Sequence, residues 1–115
     1  MTDACLFCKI VSGEIKGTIV HRDDQATAFR DINPVAPTHI LIVPNKHIIS
    51  VNALESGDEQ LMGHLFTVAG QLAKSEGIAE SGYRLITNTG PDAGQTVFHI
   101  HVHLIGGQGM KYSMG

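Results

Sequence analysis

Three histidines, His99, His101 and His103, occupy alternate positions in Phe98-His-Ile-His-Val-His-Leu-Ile-Gly-Gly107, with Ile100, Val102 and Leu104 interleaved. On an extended strand, residues i, i+2 and i+4 share a face. The spacing therefore predicts one histidine face and one aliphatic face. A single metal ion does not take all three imidazoles: at roughly 3.3 Å per residue the first and last are about 13 Å apart along the backbone, while Zn–N bonds are about 2.0–2.1 Å. The histidines must divide their work. A neutral imidazole is a nucleophile toward phosphorus and a general acid or base near neutral pH. Its far nitrogen then carries a proton and needs an acceptor. Attack at phosphorus also needs donors for the phosphate oxygens. The preceding loop offers Asn88, Gln95, Thr96 and the backbone N–H groups near Gly94. No GxxxxGK[ST] motif is present, so this is not a P-loop, and no Asp/Glu cluster points to a magnesium pair.

Both cysteines lie in Cys5-Leu-Phe-Cys8. One close pair is not a disulfide framework; in a reducing compartment it reads as a metal site or a redox pair. A thioredoxin-type pair follows a strand, which Met1–Ala4 does not supply. Two thiolates at this spacing need two further ligands for a tetrahedral zinc site. His99, at the start of the triad, is one candidate. Outside the triad stand His21, His39, His47 and His64, and spacing alone does not choose among them. His47 follows a Pro-Asn-Lys turn that can present a ligand, and His64 is expected simply to be exposed on a long helix.

The chain has 115 residues and a net charge of −3. That length suits one domain, residues 1–115, with a core that needs no staples. The basic residues are scattered, so no footprint for a long nucleic acid is expected. No apolar run is long enough to span a membrane, and no signal-like leader is seen. A soluble, cytoplasmic protein is the expectation.

The elements that must position the histidines are legible. Lys9–Val11 reads as a short helix stopped at Ser12-Gly13. Thr18–Arg22 and Ala26–Ile32 read as a hairpin about Asp23-Asp24. Asn33-Pro-Val-Ala-Pro37 is a rigid loop and His39–Pro44 a central strand. Ser56-Gly-Asp-Glu59 has the spacing of a capping box, and Leu61, Leu65, Val68, Ala69 and Leu72 recur at helical spacing behind it. That helix should end near Ser75, with Gly77 as its stop. Tyr83–Thr87 and Val97–Ile105 read as two further strands, the last with its aliphatic face under the long helix. Meandering strands around one long helix predict an α+β fold with an antiparallel sheet of about five strands.

These residues resemble a known family. His99-Ile-His-Val-His-Leu-Ile105 matches the signature of the histidine triad (HIT) superfamily. Ala28-Phe-Arg-Asp-Ile-Asn-Pro-Val-Ala-Pro-Thr-His-Ile-Leu-Ile-Val-Pro44, Gly82-Tyr-Arg-Leu-Ile-Thr-Asn88 and Gly94-Gln-Thr-Val-Phe-His99 resemble its histidine triad nucleotide-binding branch. The likeness runs from Cys5 to about Gly107. It implies a homodimer with one continuous sheet, and substrates that are purine nucleoside 5′-phosphates with a labile group, typically phosphoramidates. By resemblance His101 attacks the α-phosphorus, and the nucleotidyl-histidine intermediate is hydrolysed to a nucleoside monophosphate. His103 and Asn88 match phosphate-holding positions. Gly94, Gln95 and Thr96 match the loop at the phosphate and leaving group. His39 matches a supporting histidine, and Asp31 with Ile32 the ribose site. Phe7 and Ile10 fall, loosely, where the family lines its base pocket. Cys5, Cys8, His47 and His99 match the ligands of a structural zinc in the zinc-keeping members. Two features depart from the pattern. Thr96 stands where close relatives have serine, and Met110-Lys-Tyr-Ser-Met-Gly115 lacks a Trp-Pro-Pro type ending that affects leaving-group choice.

Other readings carry different expectations. A zinc hydrolase with His99 and His101 as catalytic ligands would lose metal and activity together. A nucleotide-binding or scaffold protein would bind without turnover. Dinucleoside polyphosphate hydrolases share the triad but match the other motifs less well.

Overall fold

The computed structural model describes residues 5–110. The Met1–Ala4 segment and, from Lys111 on, the departing C-terminal ending lie outside the described residues. In chain order the elements are α1 (Leu6–Ser12), β1 (Ile19–Arg22), β2 (Ala26–Arg30), β3 (Thr38–Pro44), α2 (Glu59–Ser75), β4 (Tyr83–Ile86) and β5 (Val102–Gly106). Short 3-10 turns occupy Val51–Ala53, Ser56–Asp58 and Pro91–Ala93. The five strands form one antiparallel sheet of order β1-β2-β3-β5-β4. This is the α+β architecture expected from the pattern of strands and helices.

Side-chain alternation decides what each face carries. Ile40 pairs with Leu104 and Ile42 with Val102, and these residues pack beneath Leu65, Val68, Ala69, Leu72 and Ala73 of α2. Leu65 is fully buried, so its truncation to alanine would cost about 2–5 kcal/mol. Leu41 pairs with His103 and His39 with Ile105, which puts both histidines on the opposite face. There α1 covers part of the sheet, with Phe7 and Ile10 packed on Phe29, Leu41 and Val43. The N-cap of α1 is Cys5, whose sulfur accepts the Cys8 N–H, and Gly13 closes the helix in the left-handed region at φ 84°.

Three expectations change. The last strand begins at Val102, so His99 and His101 precede the ladder. The register would set Ile100 opposite Pro44, where the partner strand ends and no N–H is available. Ile100 N–H instead donates to the Ile48 carbonyl at 2.6 Å, and the segment leaves the sheet. The capping box moves by one residue. Asp58 Oδ2 accepts the Glu55 N–H, a 3-10 turn follows, and α2 starts at Glu59. Asp58 also meets Lys46 Nζ at 2.7 Å, which fixes it in that place. Finally, His64 is half-buried, with Nε2 2.7 Å from Asp23 Oδ2.

Candidate active site and metal cluster

Each histidine of the triad has one ring nitrogen fixed by a backbone group or another histidine. His101 Nδ1 lies 2.7 Å from the His99 carbonyl oxygen. A carbonyl only accepts, so Nδ1 carries the proton and Nε2 keeps its lone pair. His99 Nε2 donates in the same way to the Pro44 carbonyl at 2.8 Å, which leaves Nδ1 bare. Val35 N–H donates to His39 Nδ1 at 3.2 Å, so the proton of neutral His39 sits on Nε2. That nitrogen is 2.9 Å from His103 Nδ1 and 3.4 Å from Asp31 Oδ2. His39 therefore donates to His103, whose own proton must reside on Nε2. The outcome is a nucleophilic nitrogen on His101 beside an N–H donor on His103, with ring centroids 5.0 Å apart.

Burial keeps these rings neutral. It pushes His39, His99 and His101 below the ordinary histidine value, against the opposing pull of Asp31 on His39 and His101. His103 is held down at about 4 by burial and by neighbouring His101 and His39. Phe7 stands edge-on to His101 at 5.0 Å between centroids, so α1 forms one wall against this ring.

The remaining expected site residues each have partners of their own. Asp31 Oδ1 accepts the Asn33 N–H at 2.8 Å, an Asx turn, while Oδ2 faces His39. Ile32 is 91 % exposed beside it, an apolar surface at the rim. Asn88 Nδ2 donates to the Ala93 carbonyl and closes the loop before the triad. Within that loop Gly94 is left-handed at φ 77°. Gln95 is buried, and its amide is engaged by the Gly90 N–H and the Ile49 and Val97 carbonyls. Thr96 is exposed and lines a cleft of about 480 Å³ with Cys5, Leu6, His47, Ile49, Val97 and Phe98. Phe7 and Ile10 are buried in the core under α1.

Cys5, Cys8, His47 and His99 converge on one point. Cys5 Sγ and Cys8 Sγ lie 3.3 and 3.4 Å from His99 Nδ1, and Cys8 Sγ lies 3.3 Å from His47 Nδ1. The two Nδ1 atoms are 3.3 Å apart. A tetrahedral zinc with Zn–S of about 2.3 Å and Zn–N of about 2.0–2.1 Å separates N from N by about 3.3 Å and S from N by about 3.5 Å. The cluster fits that ion. The bare Nδ1 of His99 is the lone pair such an ion requires, and its Nε2–H bond to Pro44 is the kind of support metal-bound histidines carry. Without a cation, burial and the neighbouring Cys5 push the Cys8 thiol up to about 11. Both cysteines are free of disulfide. The structure thus selects His47 from the four candidates that spacing left open.

Sequence reasoning did not find the backbone groups that set the tautomers, Val35 N–H and the carbonyls of Pro44 and His99. Main-chain partners leave no residue-type signal.

The chain is similar to several known proteins. The model of the HIT domain matches residues 12–110. A purine nucleoside phosphoramidase of Escherichia coli (strain K12) is 54% identical over 108 residues, covering 94% of this chain and 91% of that protein. A 14 kDa zinc-binding protein of Zea mays is 47% identical over 113 residues, 96% of this chain and 87% of that one. The crystal structure of a HIT family hydrolase from Legionella pneumophila Philadelphia 1 superposes with a TM-score of 0.94 at 49% identity, covering 96% of this chain and 99% of that chain. With the triad, the sheet order and the family model in agreement, the chain belongs to the HIT domain family.

Proposed function

We propose that this hydrolase of the HIT family acts on purine nucleoside 5′-phosphoramidates. His101 Nε2 attacks the α-phosphorus and the P–N bond breaks. The amine leaves with a proton taken from solvent, and water then cleaves the nucleotidyl-histidine to release a nucleoside monophosphate, return that proton and restore His101. The observation that carries this reading is the 2.7 Å bond from His101 Nδ1–H to the His99 carbonyl, because it holds the Nε2 lone pair ready without a neighbouring base. His103 Nε2–H, set by His39, supplies a donor for a phosphate oxygen. Asn88, Gly94 and Thr96 border the phosphate, with Gln95 holding their loop in shape, and Asp31 and Ile32 take the ribose side. The 54% identity to a purine nucleoside phosphoramidase supports the substrate class.

Cys5, Cys8, His47 and His99 would hold a structural zinc. The ion would supply cross-linking of α1 to the segment before β5, while the chemistry stays on His101. Paired thiols awaiting a metal suit a reducing cytoplasm. We also infer a homodimer through β4. This strand is an edge of the sheet, and Phe66, 56 % exposed, lines an apolar groove with Val51, Leu85 and Ile86 beside it.

The test is release of AMP from adenosine 5′-phosphoramidate by the wild type and by His101→Ala. The reading expects turnover by the wild type and none by a folded variant that still holds zinc. A wild type that binds AMP but releases none from the phosphoramidate would overturn it in favour of a binding protein. Zinc and activity lost together in His101→Ala would favour a catalytic metal.

A further inference from the structure

His21, Asp23 and His64 bring two imidazoles onto one carboxylate, across the sheet from the triad. Asp23 Oδ2 lies 2.6 Å from His21 Nε2 and 2.7 Å from His64 Nε2. The three come from different elements: β1, the hairpin turn after it, and the second turn of α2.

The placement of each residue has a local cause. β1 carries a bulge between Ile19 and His21, so Ile19 faces Phe29 while His21 faces Ala28. Ala28 belongs to the core under α2 and Phe29 to the core under α1. The extra residue thus turns His21 to the α2 side, as bulges commonly re-aim one side chain. In the turn, Asp23 Oδ1 accepts the Gln25 and Ala26 N–H groups at 2.7 and 2.8 Å. Asn45 Nδ2 donates to the Asp23 carbonyl, and Thr27 Oγ1 donates to Asn45 Oδ1. One carboxylate oxygen is thereby anchored to the backbone, and the other is left to the histidines. His64 sits one residue before fully buried Leu65, at the margin of the α2 stripe.

We propose that His21, Asp23 and His64 form a second, solvent-accessible site for a divalent transition metal ion such as zinc, with one or more open coordination positions. Two imidazoles and one carboxylate are a donor set suited to such ions. The three candidate donor atoms lie within 4.8 Å of one another. Side-chain exposures of 25%, 26% and 29% let an ion enter and keep water beside it. An ion takes the place of the Nε2 protons that now bond the carboxylate, and each neutral ring then carries its proton on Nδ1. It requires the N···O separations to widen by about 0.6 Å toward those of a tetrahedral shell. Rotation of the half-exposed rings meets that without moving the anchored Oδ1. The site would clasp the edge hairpin to α2 and is separate from the cysteine cluster.

The experiment is the zinc content of the full chain dialysed against buffered free zinc. Wild type, His64→Ala and Asp23→Asn are compared. Asp23→Asn keeps an oxygen for the turn N–H groups and removes the anionic ligand, so its fold is preserved. The proposal expects each variant to hold one equivalent fewer than the wild type. Because the readout is a difference, it stands whether or not the cysteine cluster is filled. Equal zinc in wild type and Asp23→Asn across the range of free zinc would overturn the site, leaving the three residues as a hydrogen-bonded clasp only. Misfolding of His64→Ala alone leaves the Asp23→Asn comparison to decide.

Discussion

His39 Nε2 and His103 Nδ1 lie 2.9 Å apart, and the direction of that hydrogen bond is set by a third group, the Val35 N–H on His39 Nδ1. A main-chain donor in the loop before β3 thus determines which nitrogen of His103 carries the proton. His39 is a positioning residue in this scheme. His39→Ala should lower kcat for phosphoramidate cleavage by about 10–100-fold, the usual cost of losing such a supporting partner. KM should change little. His39→Gln, whose amide can donate to the same nitrogen, should recover part of the loss. Equal kcat in the alanine variant and the wild type would show that the tautomer of His103 does not matter.

The depressed histidines set an acid limit for activity. A histidine at its ordinary value of 6.5 would be half protonated there, but His103 is held at about 4 and His39 and His101 are also lowered. The kcat/KM profile should therefore stay level from neutral pH down past 6.5 and fall only as pH approaches the value of His103. Stability follows the same sign. The folded pKa is below the unfolded one, so between 6.5 and about 4 the unfolded chain binds more protons. The contribution of His103 is complete above 6.5 and is lost as pH falls through about 4. A kcat/KM midpoint at or above 6.5 would contradict the buried, neutral triad.

Cys8 tests the metal cluster. Its sulfur lies within 3.4 Å of both His47 Nδ1 and His99 Nδ1. Cys8→Ser should lose the zinc of this cluster and cost the folding energy that binding supplies. A loss of about 3 kcal/mol would lower Tm by about 10 °C in a domain of this size. The remaining activity at a temperature where the variant is folded should exceed that of His101→Ala, since in the proposed scheme the metal would only cross-link the fold while His101 would react. Unchanged Tm in zinc-loaded and chelator-treated wild type would sink the structural role.

Much of this was legible because its cause is local. Alternation of His99, His101 and His103 with aliphatic residues predicted two faces, and Val102 and Leu104 do pack under α2. The periodicity of Leu65, Val68, Ala69 and Leu72 marked the face of α2 that is buried. The start of β5 was less legible. Alternation continues through His99 and His101, but pairing stops because β3 ends at Pro44, a fact about a distant strand. Likewise nothing in the spacing of His64 reports its bond to Asp23, which lies 41 residues away. The choice of His47 as a ligand also depends on where a loop comes to rest.

Gly106 offers a separate test at the far end of β5. A Cβ there would stand 2.6 Å from Ile78 Cδ1, 3.2 Å from Tyr83 Cβ and 3.4 Å from the Gly82 carbonyl oxygen. The nearest obstacle is the mobile end of a side chain, while the next two belong to the β4 end and yield less readily. Gly106→Ala should destabilise by about 1–3 kcal/mol, the usual range for overpacking. Ile78→Val removes Cδ1 and by itself costs about 0.5–1.5 kcal/mol. Combined with Gly106→Ala it should cost less than the two separate losses added together, because the clash it relieves exists only in the alanine variant. Part of the loss should persist, since Tyr83 Cβ is untouched. Denaturant melts of the four proteins in this cycle measure the coupling. Strict additivity would mean that β5 shifts away from Ile78 at little cost, and that Gly106 is not required for close approach there.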